Sequence, residues 1–311
     1  MHTQVLIIGS GPAGYTASIY AARAGLSTLL ISGLNVGGQL TKTHEVENYP
    51  GFSKISGIDL MENFKTQAEN VGVNILFEEV ISLDLNQKPF KFKTSDNKNG
   101  IADCVIIATG TSSKWLNAKG EDKFKGNGIS ICATCDGFFY RNKTVAVIGG
   151  GNTALYESLF LSKIAEQVFL ININKDLKGE KGLLERVKTN KKIKIFNNMQ
   201  LTEFIGENKL EAIVIKDKKN KTFQKLNVNG VFEAVGSSPN TSLVKNQLKL
   251  TKKGQIKTNK RTMQTSIEGV FACGDVQEDI FKQAIISAGS GAVAALSAEK
   301  YILEKEKKEA K

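Results

Sequence analysis

The chain has 311 residues, 41% of them hydrophobic, enough for about two ordinary domains. It carries 42 basic against 31 acidic residues, a net charge of +11. Only Arg23, Arg141, Arg186 and Arg261 are arginine, so the surplus reads as lysine-rich solvated surface rather than as a nucleic-acid or membrane-binding patch. Four cysteines do not make a disulfide scaffold in a chain this long, and no stretch approaches the ~20 apolar residues of a membrane span. No basic-then-apolar signal pattern precedes the first strand, so the expected location is the cytosol.

In chain order, Val5–Ile8 is predicted to be a buried strand, followed by Gly9-Ser10-Gly11-Pro12-Ala13-Gly14, an alanine-rich helix over Tyr15–Ala24 and a strand over Ser27–Ile31. This is the βαβ setting in which GxGxxG carries meaning. Gly9 permits the tight turn, Gly11 the approach of a pyrophosphate, and Gly14 close packing of helix on strand. The phosphates then sit at the helix N-terminus, where free amides favour negative charge. The acid expected at the end of the second strand is replaced by Ser32-Gly33, so no carboxylate holds the ribose there.

Gly37-Gly38-Gln39-Leu40 and Glu45–Gly51 read as loops. They are either ordinary turns or ligand-binding segments, with Asn48 able to serve a flavin's polar edge. A helix is predicted over Gly57–Gly72 and strands over Val73–Phe77, Val80–Leu85 and Phe90–Thr94. Cys104–Gly110 reads as a buried strand, with Cys104 a core residue, and Ser112–Asp122 as an irregular linker.

Cys132-Ala133-Thr134-Cys135-Asp136-Gly137 is the stretch on which the reading turns. Two cysteines at this spacing form a readily reduced disulfide whose thiolate can attack another disulfide, and the adjacent Asp136 can move the proton. The alternatives are a buried structural pair or half a zinc site. Zinc usually needs four ligands, and the two other cysteines and two histidines are not at ligand spacing.

The opening pattern then returns. Val145–Ile148 is a predicted strand, Gly149-Gly150-Gly151-Asn152-Thr153-Ala154 a second glycine turn, Leu155–Ile164 a helix and Val168–Ile171 a strand. Val231–Val235 ends at Gly236 as the earlier strand ends at Gly110. Two dinucleotide sites with a dithiol between them suggest electrons passing from pyridine nucleotide to flavin to disulfide. Residues 245–270 are weakly patterned. Gly269–Asp275 is a short strand leading to an acid that can bind a ribityl or ribose hydroxyl, and Lys282-Gln283-Ala284 opens an apolar helix through Ala298. Cys273 is expected to be buried. The mixed-charge tail Leu303–Lys311 is expected to be a frayed helix end.

On Gly9–Gly14, Gly37–Leu40, Glu47–Gly51, Ala108–Gly110, Cys132–Gly137, Gly149–Ala154, Gly274-Asp275 and Lys282–Ala284, the chain resembles the low-molecular-weight bacterial thioredoxin reductases, FAD-containing pyridine nucleotide–disulfide oxidoreductases. The resemblance covers nearly the whole chain. It implies an α/β fold of two Rossmann-like domains, the second inserted into the first. An FAD domain would comprise residues 1–113 and 243–311, and a nicotinamide domain residues 114–242, carrying the dithiol. It implies a homodimer that reduces thioredoxin or a thioredoxin-like protein, with no nucleic-acid or membrane partner. Cys135 would face the flavin, Cys132 would attack the partner's disulfide, and Asp136 would return protons. Flavin contacts carry over to the first turn (Gly9, Ser10, Gly11, Pro12, Ala13, Gly14), to Gly37, Gly38, Gln39 and Leu40, and to Asn48, Asp275, Lys282, Gln283 and Ala284, with lysine standing at 282 where the family usually has arginine. Nicotinamide-nucleotide contacts carry over to Gly149, Gly151, Asn152, Thr153, Ala154, Glu157 and Lys178.

The chain departs from that family at the donor site. Asn172-Ile173-Asn174, then Lys178, stand where the family has a His-Arg-Arg run and a further arginine for the 2′-phosphate of NADPH. No carboxylate replaces them, as a preference for NADH would favour. Tyr156 precedes the retained Glu157, one of two adjacent glutamates in the family. The expected donor is NADPH. The alternatives are NADH or a reduced ferredoxin-like protein on the same fold and dithiol, or a flavin-binding regulator that has lost turnover.

Overall fold

A computed structural model describes residues 1–43, 45–277 and 281–309. The chain divides into two compact units, Met1–Ser112 with Ser238–Lys311, and Ser113–Ser237.

In the first unit the strands His2–Ile8, Thr28–Ile31, Asn74–Leu76 and Asn99–Ile107 lie parallel, with His2–Ile8 between Thr28–Ile31 and Asn99–Ile107. The far edge of Asn99–Ile107 is shared. Its first half pairs antiparallel with Phe90–Thr94, and its last three residues pair parallel with Val270–Ala272. The central strands are apolar on both faces because both are covered. Val5, Ile7, Cys104 and Ile106 join one core layer, with the helices Pro12–Arg23 and Ala284–Glu309. Leu6, Ile8, Val105 and Ile107 join the other. Cys104 and Cys273 are both buried, and burial pushes both thiols up.

Besides shifts of a few residues at element ends, three segments differ from expectation. The strand ending at Ile107 starts at Asn99, five residues before Cys104, because Ile101 and Ala102 pair with His2 and Thr3. The expected linker Ser112–Asp122 runs at its end into a short helix, Glu121–Phe124, pinned by the buried Phe124. The final helix does not fray at Leu303. It continues to Glu309, and Lys305 Nζ donates to Asp103 Oδ1 at 2.8 Å. Ala310 and Lys311 lie outside the described residues.

The second unit repeats the strand–turn–helix–strand plan. Thr144–Ile148 leads into the helix Asn152–Leu161 and then the strand Gln167–Asn172. Its parallel sheet runs Ile193–Asn197, Gln167–Asn172, Thr144–Ile148, Gly230–Glu233, Ile129–Ser130. Val145, Val147 and Leu170 pack under the helix, while Ala146, Ile148 and Ile171 pack with Leu201, Ile213 and Leu226 of a three-stranded antiparallel sheet.

Candidate functional site

In the first unit, Gly9 takes φ +108° and leads into a helix of twelve residues that starts at Pro12 without a side-chain cap. Proline at the first position gives up an amide that the helix would leave unpaired anyway. A Cβ at Gly14 would overlap the Gly9 carbonyl, whereas one at Gly11 would meet nothing within 4 Å. The turn is therefore closed underneath and open above. Ser10 is buried and binds protein: its hydroxyl donates to the Ser32 carbonyl at 3.0 Å and accepts from the Gly37 amide at 3.0 Å. That bond brings the Gly37–Leu40 segment to the first turn, where a Cβ at Gly38 would come 3.3 Å from Gly11 Cα. Gly38–Lys42 is a short 3-10 helix rather than an open loop, and Gln39 Nε2 donates to the Thr111 carbonyl at 3.2 Å.

Asn48 Nδ2 donates to Gln283 Oε1 at 3.3 Å, so these two expected flavin contacts meet across 235 residues of sequence. Asp275 lies in the short turn Gly274–Val276, where Ser287 Oγ donates to its Oδ1 at 3.1 Å. Asp275 is also within electrostatic reach of Lys282. Ala284 is the first residue of the long helix, which meets the first turn where a Cβ at Gly291 would strike Ala13.

In the second unit the dithiol is closed as a disulfide between Cys132 and Cys135, with Cα atoms 5.3 Å apart. Cys132 caps the one-turn helix Ala133–Asp136 and accepts at its carbonyl from the amides of Cys135 and Asp136, at 3.2 and 3.1 Å. Its own amide donates to Ser130 Oγ at 3.0 Å, and the Thr134 hydroxyl lies 3.4 Å from its sulfur. Asp136 lies close enough to Tyr140 to add to the rise that burial imposes on that phenol.

The second glycine turn sits on the same unit. Its helix also starts without a side-chain cap, and a Cβ at Gly151 would meet only the Lys178 carbonyl, at 3.8 Å. Thr153 is exposed and Ala154 buried. Asn152 is engaged with Glu180: its Nδ2 donates to Glu180 Oε1 at 3.0 Å and its Oδ1 accepts from the Glu180 amide at 2.9 Å. Lys178 is tied to the turn by its backbone, the amide donating to the Gly150 carbonyl at 2.7 Å, and its side chain is exposed. Glu157 reaches toward the dithiol, where its Oε1 accepts from the Ala133 amide at 3.5 Å. No group of three or more metal-ligating side chains occurs among the described residues, and no helix among them is long and apolar enough to cross a membrane.

Residues 3–291 match the family model described as pyridine nucleotide-disulphide oxidoreductase. The chain is 45% identical to the thioredoxin reductase of Rickettsia conorii, covering 96% of this chain and 98% of that one. It is 46% identical to the thioredoxin reductase of Escherichia coli O157:H7, covering 97% and 96%. The solved thioredoxin reductase of Giardia duodenalis superposes with a TM-score of 0.94 at 38% identity, over 97% of this chain and 99% of that one. The chain belongs to the pyridine nucleotide-disulphide oxidoreductases, among the thioredoxin reductases.

Membership in the thioredoxin reductases implies FAD and a pyridine nucleotide, and the residues fit both. Each glycine turn is closed beneath, open above at one glycine, and followed by an uncapped helix of ten or more residues. Those are the features an anionic pyrophosphate needs.

Two features of this chain are not apparent from motif reading. Asn172, aligned with the start of the family's arginine-rich run, is 1% exposed. Its Nδ2 donates to the Asn174 carbonyl and to Asn197 Oδ1, both at 3.0 Å, and its Oδ1 accepts from the Asn174 amide at 3.2 Å. Ile173 and Lys175 are exposed beyond it. Glu233, at the end of a central strand, is 2% exposed. Burial, then the charge of Glu121, pushes its carboxyl up to about 8. The only hint in the sequence is an acid inside an apolar strand, Val231-Phe232-Glu233-Ala234-Val235.

Proposed function

We propose that the chain is a cytoplasmic, homodimeric thioredoxin-disulfide reductase in which the first unit holds FAD and the second holds NADPH and the redox-active pair Cys132–Cys135. The observation that carries this reading is the disulfide itself, half-buried on a one-turn helix and flanked by Ser130, Thr134 and Asp136. A dithiol at an ordinary structural bridge has no need of a hydroxyl at its sulfur and an acid at its side.

When bound, FAD supplies the electron pair for the dithiol and the pyridine nucleotide replenishes it. The chain's own residues then perform the exchange. The Cys132 thiolate, with the Thr134 hydroxyl beside it, attacks one sulfur of the partner's disulfide. A mixed disulfide forms, and the partner's other sulfur leaves as a thiolate that takes from Asp136 the proton Asp136 drew from the Cys132 thiol. Cys135 then attacks Cys132 Sγ, which restores the intramolecular bond, and the proton of Cys135 passes to the second partner sulfur as it leaves. The partner's disulfide gains two electrons and two protons, and the dithiol loses them. A thioredoxin couple near about −270 mV requires a donor at least as reducing.

In unit one, Gly9, Gly11, Pro12, Ala13 and Gly14 receive the flavin's pyrophosphate, with Ser10 tying this turn to Gly37 and Gly38. Asp275, oriented by Ser287, binds a ribityl hydroxyl. Gln39, Leu40, Asn48, Lys282, Gln283 and Ala284 line the remainder. In unit two, Gly149, Gly151 and the start of the helix at Asn152, Thr153 and Ala154 receive the second pyrophosphate.

Asn172 favours a second reading of the donor. Its side chain is turned inward and its hydrogen bonds are taken, so neither a carboxylate for a ribose nor a guanidinium for a 2′-phosphate stands at this strand end. The unit also carries 21 lysines and arginines against 13 acids, which suits an acidic protein donor such as a reduced ferredoxin-like protein. An anaerobic titration of the purified yellow protein separates the readings. Bleaching of the flavin by NADPH, followed by reduction of thioredoxin, is expected. Bleaching by NADH alone changes the cofactor and keeps the mechanism. Bleaching by neither, in protein that dithionite still reduces, moves the donor to a protein.

A further inference from the structure

Glu157 is the one carboxyl side chain of the helix Asn152–Leu161, whose other titratable group, Tyr156, is exposed, and it reaches the backbone of the dithiol turn. One carboxyl oxygen accepts from the amide of Ala133, the residue that follows Cys132, and the other is buried with no hydrogen-bond partner among the described residues. The neighbouring Ser158 hydroxyl is likewise buried without a partner. An unsatisfied buried oxygen costs about 1–3 kcal/mol, and Glu157, unlike the ion-paired Glu78 and Glu121, has no cation beside it to offset that cost. A carboxyl that spends part of its cycle protonated lowers that cost.

The elements packed on this helix bring few charges to it. The strands Thr144–Ile148 and Gln167–Asn172 contribute no ionisable group. The helix Lys181–Thr189 carries Lys181, Glu185, Arg186 and Lys188, Glu180 before it bonds Asn152, the turn Ala133–Asp136 brings Cys132, Cys135 and Asp136, and the turn Gly137–Tyr140, which packs on Leu161 and Phe160, brings Tyr140. Burial, opposed by the Ala133 amide, pushes the Glu157 carboxyl up to about 7, with no charged side chain contributing. It thus changes charge near neutral pH.

We propose that Glu157 is a positioning residue for the dithiol, holding the start of the Cys132–Asp136 turn through the Ala133 amide and coupling reduction of the disulfide to its own protonation. Reduction of Cys132–Cys135 consumes two electrons and two protons when both products are thiols. Where one sulfur stays a thiolate, its charge beside a Glu157 carboxylate is unfavourable, so either the sulfur or Glu157 takes up the second proton. The carboxylate therefore holds proton uptake at two per electron pair to a higher pH than a neutral side chain would. The inference rests on the disulfide-reductase reading for its purpose, and its test does not need that reading's donor or partner.

The test is the midpoint potential of the dithiol against dithiothreitol redox buffers from pH 6 to pH 9, with free thiols counted by alkylation, in the flavin-loaded protein and in Glu157→Gln and Glu157→Ala. Circular dichroism and thermal unfolding report folding of the second unit, which carries the substitutions. The three curves are expected to coincide at pH 6 and to diverge above pH 7, with both variants shifted toward the reduced dithiol by about tenfold at pH 9, about 30 mV for a two-electron couple. If Glu157→Gln does not fold, Glu157→Ala carries the same comparison. Curves that coincide at every pH, or that are offset equally at every pH, would overturn the proposal, the second outcome marking a packing role only. Failure of the reductase reading has a different signature: no thioredoxin is reduced by the unaltered protein with any donor, whatever the pH dependence of the dithiol.

Discussion

The side-chain oxygen of Asn172 lies directly beneath Gly150, so a Cβ at Gly150 would collide with it and would stand 2.9 Å from Asn172 Cγ. The second glycine turn is thus seated on the end of the second strand by a buried amide. Asn172→Ala leaves the Asn174 amide without its acceptor and opens space under the turn. It is expected to cost about 1–3 kcal/mol of stability in this unit. The KM for pyridine nucleotide should rise by about tenfold, the worth of about 1.4 kcal/mol. Steady-state kinetics with thermal unfolding checks both, and an unchanged KM would separate the seat from the nucleotide.

The two glycine turns and the dithiol are legible in the sequence because backbone geometry permits little else there. Gly14 must be glycine to pass the Gly9 carbonyl, and Gly149 takes φ +151°. The alternating core layers around His2–Ile8 and Asn99–Ile107 follow equally from runs of apolar residues buried on both faces. What sequence does not convey is where a polar side chain turns. Asn172 is a loop-like residue by type and a buried lock in fact. Glu233 gains its environment from Glu121 and Leu116, more than a hundred residues earlier. The last helix is held near its end by Asp103, 202 residues away from Lys305, so local charge mixing gives no sign of its length.

Glu233 gives a pH-dependent stability. Its folded-state pKa, about 8, lies above the ordinary carboxylate value of 4.5, so its stabilising contribution is complete below that ordinary value and is lost as pH rises through about 8. Glutamine keeps an oxygen to accept from the Leu116 amide and carries no charge to desolvate. Glu233→Gln is therefore expected to match the unaltered protein near pH 5 and to exceed it at pH 9 by about 4 kcal/mol, at about 1.4 kcal/mol for each pH unit between pH 5 and that raised pKa. Thermal unfolding at the two pH values measures it. An equal effect at both would mean that Glu233 does not titrate in this range.

The first cradle predicts a different loss. A methyl group at Gly14 would push the helix Pro12–Arg23 away from the Gly9 carbonyl, and overpacking of this kind costs about 1–3 kcal/mol. Gly14→Ala is expected to purify with little visible flavin absorbance, while the dithiol of the second unit still titrates against dithiothreitol. Full flavin content in this variant would show that the turn tolerates a wider separation and does not hold the pyrophosphate.

Donor preference should be recoverable from two exposed positions. Ile173 is 45% exposed just beyond the buried Asn172, and Asn174 follows it. Arginine binds a phosphate with a planar pair of hydrogen bonds that isoleucine cannot make and that lysine makes only as a point charge. In the double variant Ile173→Arg, Asn174→Arg, the ratio of kcat/KM for NADPH over NADH is expected to rise by at least about tenfold, mostly through KM, as one charge-assisted pair worth about 1.5–3 kcal/mol would give. The rate at which dithiothreitol reduces Cys132–Cys135 should not change, because neither position touches the dithiol. A ratio that stays constant would mean that the 2′-phosphate does not lie over this loop. Lys175 and Lys178 would then be the next positions to replace, since both are exposed on the same segment and already carry the charge.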